Sequence, residues 1–350
     1  MNVAFVLWGV DRFGGMERRY VRLASELMLS QSEFNVFIFC HRDAASQVRS
    51  FLPLDHHSRI VEFFAEGSSN RFLKLNKLLL NLRGKMIDKS INHLHLINNP
   101  GHLSFYILFF SGFIKKKSLV MADSTYETNS SLTNTFAGNL SLISYDAVDC
   151  LSQQTKDILI QKFFSVHSKK YRLAPCSFTD LSKAQSSNER SIDLVMMARF
   201  VSGKGYELIE DAVESIQEYK LMCFGSGPRP PKIPSDLISF TENPFDILSK
   251  AKVFLSLQRV NNYPSQSILE AVACGAAIIA TDVGETRDFL DDDCAILINW
   301  DVNDLISAIK KLLSNEELRL SLVENARKKV LVNNTIERYS TYFREDILSL

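Results

Sequence analysis

The stretch IDLVMMARFVSGKGYELIEDAV, residues 192–213, decides the fold. An apolar run over 192–198, long enough for one buried strand, is followed by a glycine-containing turn and then by helical periodicity from Tyr206. The same succession recurs along the chain, and it predicts further strands at 3–8, 35–40, 92–97, 117–123, 147–152, 220–225, 253–257, 276–282 and 294–298. Strands that alternate with helices in this way predict parallel sheets covered by helices, an α/β fold.

Length and composition predict two domains. The chain has 350 residues, and a domain typically has ~150. Between Leu173 and Arg190 the sequence is rich in Ser, Asn and charge, which is typical of an interdomain linker. We therefore expect an N-terminal domain over 1–178, a linker over 179–190 and a C-terminal domain over 191–334. Their sheets are expected to face each other with the strand carboxyl ends, where open α/β sheets bind ligands.

Charge and cysteine content indicate the environment of the protein. Forty basic and forty acidic residues give a formal net charge of zero, which disfavours binding to nucleic acid. Six cysteines without C-x-x-C spacing indicate buried thiols in a reducing compartment. The N-terminal run lacks the basic region and cleavage site of a secretory signal, and the longest apolar stretch, 103–114, is too short to span a bilayer. We expect a cytosolic protein.

Two basic segments have alternative interpretations. Residues 71–89 form a predicted basic amphipathic helix, and Lys115, Lys116 and Lys117 follow the apolar stretch 103–114. Such a helix usually packs one face on the core and leaves the charged face in water. The alternative is peripheral contact with the anionic inner surface of a membrane.

Two cations stand at the carboxyl end of the strand predicted at 192–198. Arg199 follows the strand directly, and Lys204 comes just before the helix predicted from Tyr206. Cations in this place, beside the positive end of a helix, suit an anion such as a diphosphate. Ordinary loop charges are the alternative, and the position at the strand end favours the anion site.

Glu270 has two compatible interpretations. Residues 267–270 fit a capping box, in which Ser267 is the N-cap and the Glu270 carboxylate accepts the Ser267 backbone amide. Gly275 then ends the helix in a left-handed conformation. A carboxylate in the first turn after a strand-end loop can equally accept the hydroxyls of a ribose.

Three other patterns carry less weight. Gly14 and Gly15 precede a predicted helix, where glycines let the backbone approach a ligand, although a plain loop looks the same. Residues 291–293 are all aspartate, which is more typical of a solvated turn than of a metal site, so we predict no essential metal. No G-x-G-x-x-G motif follows the first strand, which disfavours a nicotinamide-dependent dehydrogenase.

Several segments resemble one known family, in the correct order along nearly the whole chain. LVMMARFVSGKGYELIEDAV (194–213) resembles the "GR…KG…L…A" segment of retaining glycosyltransferases of family 4, and YKLMCFGSGP (219–228) is similar to the strand end that follows it. NYPSQSILEAVACGAAIIATDVGE (262–285) resembles the E-x7-E region of that family, and GGMERRYVRLASEL (14–27) resembles its N-terminal glycine loop.

The resemblance implies a GT-B fold with two Rossmann-like domains. The first would bind a glycan or lipid-linked acceptor, the second would bind a UDP-sugar or GDP-sugar donor, and a helix over 335–350 would cross back to the first. It also implies retention and no cofactor apart from these substrates. By the same resemblance, Arg199 and Lys204 would hold the diphosphate and Glu270 the ribose. The remaining donor-binding positions implied are Gly14, Gly15, Tyr263, Ser265, Gln266 and Ser267.

This sequence departs from the family pattern at three positions. Asn262 stands where the first Glu of E-x7-E is usual, so it can bind sugar hydroxyls but brings no carboxylate. Ala122 and Asp123 replace a His-Asp pair, which leaves Asp123 as the acceptor-side residue. Glu285 follows Gly284 where a second Gly is usual. The leading hypothesis is a metal-independent hexosyltransferase in surface polysaccharide assembly, such as capsule, O-antigen or lipopolysaccharide. The alternative is a non-catalytic homologue that binds sugar nucleotides or glycans.

Overall fold

The computed structural model describes residues 1–7, 15–30, 33–65, 71–97, 112–121, 142–163, 167–187, 189–241, 243–261 and 265–349. The chain divides into two units: Met1–Pro175 with Ile336–Leu350, and Cys176–Thr335. Each unit has its own sheet and its own hydrophobic core. Within the described ranges, no helix is long and apolar enough to cross a bilayer.

The first unit contains a seven-stranded parallel sheet in the order β3-β2-β1-β4-β5-β6-β7. Its strands are β1 (Asn2–Leu7), β2 (Asn35–His41), β3 (Ile60–Phe63), β4 (His93–Ile97), β5 (Lys116–Met121), β6 (Ala147–Cys150) and β7 (Tyr171–Leu173). The central strand β1 is buried from Val3 to Leu7. Such continuous burial is expected where helices cover both faces of a parallel sheet.

Helices of the first unit pack one apolar face on this sheet. The described helices before the second unit are α1 (Gly15–Leu29), α2 (Ala45–Ser50), α3 (Arg71–Asp88) and α4 (Gln153–Lys162). In α1 the buried apolar side chains include Tyr20, Leu23, Ala24 and Leu27. Their spacing of three and four residues places them on one side of the helix, which explains why this segment is helical and where it docks.

The second unit contains a six-stranded parallel sheet in the order β10-β9-β8-β11-β12-β13. Its strands are β8 (Ile192–Met197), β9 (Leu221–Phe224), β10 (Ile238–Ser239), β11 (Ala251–Ser256), β12 (Ala277–Thr281) and β13 (Ala295–Ile298). Its described helices are α5 (Tyr206–Ala212), α6 (Pro244–Leu248), α7 (Gln266–Ala273), α8 (Thr286–Phe289), α9 (Val302–Ser314) and α10 (Glu316–Ala326). The adjacent strands β8, β11 and β12 form the centre of this sheet.

The C-terminal segment belongs to the first unit. It consists of α11 (Ile336–Tyr342) and a π-helical stretch (Phe343–Leu348), and it packs over a buried carboxylate on β6. Asp149 accepts hydrogen bonds from the hydroxyls of Tyr20 at 2.6 Å, Tyr339 at 2.7 Å and Tyr342 at 2.8 Å. Burial raises the pKa of the Asp149 carboxyl, and the three hydroxyl donors oppose that shift.

A second buried polar cluster lies on β4 and β5. The Ser118 hydroxyl is hydrogen-bonded to His93 Nε2 at 2.7 Å and to His95 Nδ1 at 2.8 Å. Burial, with a smaller contribution from the charge of Lys116, lowers the pKa of His93 to about 4. Burial also lowers the pKa of His95. Both imidazoles are therefore neutral in the folded protein at neutral pH, and they act as structural groups.

The predicted α/β fold is confirmed, and the predicted strands lie within two residues of those observed. The short strands β3, β7 and β10 were not predicted, because each has at most four residues and little alternation. The sequence also predicts a helix that begins near Leu103, and this position lies outside the described residues. All six cysteines are described and buried, and none forms a disulfide. Burial raises the pKa of the Cys40 and Cys223 thiols to about 12, which is expected of unreactive thiols.

Candidate functional site

A pocket lies at the carboxyl ends of β11 and β12 in the second unit. It is open to solvent on one side and is lined by Ser256, Gln258, Ser265, Ile268, Ala280, Thr281, Thr286 and Phe289. The strands end here in hydroxyl and amide side chains, while Ile268 and Phe289 close the pocket from the helices α7 and α8. In open parallel sheets this edge is where ligands bind.

The loop after β8 places Arg199 and Lys204 at the same edge of the sheet. The hydroxyl of Tyr206 donates to the carbonyls of Ala198 and Phe224, both at 3.0 Å, and thereby fixes the start of the loop. Gly205 has a φ of +90° and lies so close to Leu257 that a Cβ would be 2.3 Å from its carbonyl oxygen. The left-handed glycine turns the chain directly into α5, so Lys204 stands beside the end of β11.

The Lys204 ammonium is held by a short chain of hydrogen bonds. Its Nζ donates to Gln258 Oε1 at 2.9 Å. The backbone of Gln258 is clamped by Thr281, whose hydroxyl accepts from the Gln258 amide at 2.8 Å and donates to its carbonyl at 2.7 Å. Gln258 and Thr281 are both buried. Hydrogen bonds thus join the loop after β8 to the ends of β11 and β12, and they hold the Lys204 ammonium beside the pocket.

Two arginines add positive charge to this edge. Arg199 is exposed, and within the described part of the chain its side chain has no hydrogen bond or ion pair. The backbone amide of Arg259 donates to the Gly203 carbonyl at 3.0 Å, and its guanidinium lies 5.7 Å from the ring centre of Trp300. Stacking on an indole orients a guanidinium and leaves its N–H groups able to donate.

The N-terminus of α5 contributes less to an anion site than the sequence suggests. Its own first-turn carboxylate, Glu207, accepts the Gly203 amide at 2.8 Å and the Ser202 hydroxyl at 3.1 Å. Partial burial acts to raise the pKa of Glu207, but hydrogen bonds from Gly203, Ser202 and other donors outweigh it and lower the pKa. The anion-binding capacity of this edge therefore rests on its side-chain cations.

The structure corrects the capping-box interpretation of Glu270. The N-cap of α7 is Ser265, which makes no side-chain cap hydrogen bond, so Ser267 and Glu270 both lie inside the helix. The Ser267 hydroxyl is 3.0 Å from that of Ser265. Half-buried Glu270 accepts instead from the Thr179 hydroxyl at 3.0 Å. The helix starts two residues earlier than expected because Ser265 already has the extended backbone of an N-cap, with a φ of −79° and a ψ of 119°.

The C-terminus of α7 agrees with the prediction for Gly275. Its φ is +78°, its amide donates to the Val272 carbonyl, and the Ala276 amide donates to the Ala271 carbonyl, both at 3.0 Å. This is the Schellman pattern. The Arg190 guanidinium donates to the carbonyl of the C-cap residue Cys274 at 2.9 Å, so a predicted linker residue helps to fix the helix that presents Glu270.

The loop after β12 contains Glu285, which the sequence marks as unusual. Asn261 and Glu285 form a reciprocal pair: Asn261 Nδ2 donates to Glu285 Oε2 at 3.1 Å, and the Glu285 amide donates to Asn261 Oδ1 at 3.3 Å. This pair ties the loops after β11 and β12 together beside the pocket. Glu285 therefore has a structural partner as well as a place near the site.

The remaining predicted site residues are described only in part. Asn262, Tyr263, Asp123 and Gly14 lie outside the described residues, and Gly15 is the first residue of α1. Of the other donor-side positions, Ser265 lines the pocket, Gln266 donates to the Phe178 carbonyl at 3.4 Å, and Ser267 lies on the first turn of α7.

The aspartate run at 291–293 pairs with cations. Asp291 forms an ion pair with Lys329, and Asp292 forms one with Arg287 at 3.1 Å. These ion pairs indicate a structural role for the aspartates at the surface. The absence of an essential metal stays a prediction.

Gln258, Arg259 and Thr281 were missed by the sequence reasoning. Arg199 was selected because it directly follows a parallel strand. The same criterion selects Gln258 and Arg259, which follow β11, and Thr281, which ends β12. Thr179 could not have been found in this way, since its contact with Glu270 joins residues 91 positions apart.

Part of the chain is similar in sequence to known glycosyltransferases. Residues 205–345 match a family model described as Glycosyl transferase-like. A protein of Arabidopsis thaliana that forms part of phosphatidylinositol N-acetylglucosaminyltransferase is 22% identical over 193 residues, which are 50% of this chain and 43% of that protein. An uncharacterized glycosyltransferase from Methanocaldococcus jannaschii is 27% identical over 147 residues, 38% of this chain and 42% of that protein. The chain spans less than half the length of these curated relatives.

A solved structure matches along the whole chain. The crystal structure of HepE from Anabaena in complex with UDP and glucose covers 100% of both chains with a TM-score of 0.80, at 14% sequence identity. Together with the two parallel sheets of seven and six strands, this match identifies the fold as GT-B, as the sequence predicted.

Proposed function

We propose that the protein is a glycosyltransferase that moves a sugar from a nucleotide diphosphate sugar to a glycan or lipid-linked acceptor. The observation that carries the proposal is the cationic edge of the second unit, where Lys204 is fixed by Gln258 and Thr281. The names of the matched family model and curated relatives support transfer of a glycosyl group. A nucleoside diphosphate is the ligand that this charge pattern suits.

The chemistry required of this edge is stabilisation of a leaving group. During transfer, an acceptor hydroxyl oxygen bonds to the anomeric carbon and releases its proton to water. The bond from that carbon to the diphosphate oxygen breaks, and its electron pair stays on the diphosphate. Negative charge develops on the diphosphate as it leaves. Lys204, which Gln258 holds in place, stabilises that charge without having to reorganise, and this lowers the barrier; Arg199 adds a second cation at the same edge.

Glu270 and the loop before α7 complete the proposed donor site. We assign the Glu270 carboxylate to the ribose hydroxyls and the backbone from Tyr263 to Ser267 to the sugar and phosphate. UDP or GDP is the proposed nucleotide, and UDP bound to HepE makes it the first to test. Asp123 is assigned to the acceptor side. Retention, hexosyl transfer and independence of metal are parts of the same proposal.

The proposed setting is surface polysaccharide assembly at the cytoplasmic face of a membrane. A donor that carries a nucleotide is made in the cytosol, and buried cysteines without disulfides are compatible with a reducing compartment.

The experiment separates a transferase from a binding module. Purified full-length protein is incubated with UDP-sugars and GDP-sugars, with and without EDTA, together with glycan and lipid-linked acceptors, and product and released nucleotide are measured. We expect one nucleotide to raise the melting temperature and its sugar to be transferred equally well in EDTA. Nucleotide binding without sugar transfer to any acceptor would favour the non-catalytic homologue, to which Asn262 already points.

A further inference from the structure

The helix α3 has two apolar faces, and the core uses one of them. Leu78, Leu79, Leu82 and Met86 are buried in the core of the first unit. These residues follow the spacing of one helical face and are sufficient to dock the helix on the sheet. The other apolar side chains of α3 therefore need a separate explanation.

Those other side chains form a line on the solvent side, which we name the α3 stripe. Leu73, Leu80 and Ile87 are 52%, 58% and 48% exposed. Their spacing of seven residues keeps them within about 20° of each other from one to the next, along about 21 Å of helix. A single exposed leucine is ordinary, but three aligned ones on a helix that already buries a full face form a continuous apolar surface.

Cations flank the α3 stripe on both sides. On the helical wheel, the exposed Lys74 and Lys77 lie on one side, and Arg83 on the other is half-buried with its guanidinium 5.4 Å from the ring centre of Phe113. The helix has a single acidic residue, Asp88, in its last turn. The whole chain has a formal net charge of zero, so this positive surplus is local.

A second basic group lies near the C-terminal end of α3. The backbone amides of Lys115 and Lys116 both donate to the Asn92 carbonyl, at 3.0 and 3.1 Å, and Asn92 lies four residues after Asp88. The lysines of the segment 115–117 therefore stand near the C-terminal end of the helix, and Lys115 is exposed.

We propose that the α3 stripe, with its flanking lysines, docks the protein on an anionic lipid bilayer. An apolar line bordered by cations matches the interface of such a membrane, where leucines enter the acyl boundary and lysines reach the phosphates. A second copy of the chain fits less well, because an isologous contact would bring two positive faces together. The inference goes beyond glycosyl transfer and holds even if the activity proposed above is wrong.

Vesicle sedimentation tests the proposal without any assay of activity. Full-length protein is mixed with vesicles of phosphatidylcholine alone and of phosphatidylcholine with phosphatidylglycerol. We expect binding to the anionic vesicles only, weakened by added salt. Leu80→Glu is expected to reduce the partition coefficient about tenfold, and Lys74→Gln combined with Lys77→Gln to reduce it by a similar factor.

Leu320→Glu is the matched control. Leu320 is 56% exposed on α10 of the second unit, so the substitution is the same at equal exposure. It is expected to leave vesicle binding unchanged, and melting temperatures verify that both variants fold. Absence of binding to anionic vesicles, or equal loss in Leu80→Glu and Leu320→Glu, overturns the proposal. So does a dimer in analytical ultracentrifugation that Leu80→Glu dissociates, since the stripe is then an interface between copies.

Discussion

Lys204 is the residue on which the proposed chemistry depends most. Replacement by Ala removes the cation that Gln258 holds against the site, and we expect transfer to fall by at least about a hundredfold while the melting temperature changes little. Steady-state kinetics with the competent donor measure the change. Lys310→Ala, at an exposed position on α9, is the control and should keep full activity. Unchanged turnover in Lys204→Ala would remove the diphosphate assignment.

Gln258 is expected to act on the reaction through Lys204. In Gln258→Ala the ammonium loses its acceptor and can move, so kcat is expected to fall about tenfold with a smaller change in KM. Gln258→Glu keeps an acceptor for Lys204 but adds a negative charge close to the proposed diphosphate site, and it should raise KM as well. If Gln258→Ala changes only the melting temperature, Gln258 has a structural role alone.

Substitution of Glu270 distinguishes a role in nucleotide binding from a role in stability. Glu270→Gln keeps the size of the side chain and an oxygen that can accept from Thr179, so we expect stability to change by less than about 1 kcal/mol. Loss of the charged acceptor for ribose hydroxyls should weaken nucleotide binding about tenfold, measured by calorimetry. Intact affinity with a lower melting temperature would assign Glu270 to packing of the linker against α7.

At the residue scale, the sequence predicted the location of side chains that closely follow a strand. Arg199 and Lys204 belong to this class, because a cation after a parallel strand must lie at the ligand-binding edge. The contact of Glu270 with Thr179 belongs to another class, since no local pattern relates a linker hydroxyl to a helix 91 positions further along.

At the element scale, the turn from β8 into α5 is set by Gly205. Gly205→Ala forces a side chain into a left-handed backbone and against the Leu257 carbonyl, so we expect the free energy of unfolding to fall by about 3 kcal/mol. Denaturant titration measures the loss. Gly84→Ala is the matched control: Gly84 lies inside α3 with nothing within 4 Å of the added Cβ, and the variant should be up to about 1 kcal/mol more stable. Equal stability in the two variants would contradict the strain argument.

The periodicity of the sequence predicted long elements better than their ends. The apolar runs of β8, β11 and β12 are unmistakable because both faces of a parallel sheet are covered. The start of α7 was misplaced by two residues, since Ser265 and Ser267 are equally good N-cap residues by type. The backbone is extended at Ser265, which makes it the N-cap, and N-cap propensity cannot distinguish one serine from the other.

At the scale of the whole molecule, the first unit is closed by residues from both ends of the chain. Tyr20 comes from α1, Asp149 from β6, and Tyr339 and Tyr342 from the C-terminal segment. Burial makes an isolated carboxylate costly, so the three hydroxyls are needed together, and the C-terminal segment is required to complete them. The sequence shows each residue but gives no sign that four positions so far apart meet.

The buried histidines of the first unit predict how the stability of the protein depends on pH. His93 has a pKa of about 4 in the folded state and 6.5 in the unfolded state, so the unfolded chain binds more protons between these values. The stabilising contribution is therefore present above pH 6.5 and is lost as pH falls toward 4, by about 3 kcal/mol. His95, whose pKa is also lowered, acts with the same sign.

His93→Gln tests this dependence directly. Gln does not titrate and can still hydrogen-bond to the Ser118 hydroxyl, so the variant should lose less stability than the wild type between pH 6.5 and 4. Asp149 is unchanged in both proteins, and its raised pKa cancels from the comparison. Urea titrations at a series of pH values give the two slopes, with His167→Gln, at an exposed site, as the control for loss of a histidine. Parallel slopes for wild type and His93→Gln would show that His93 titrates alike in the folded and unfolded states, which would contradict a lowered pKa in the folded protein.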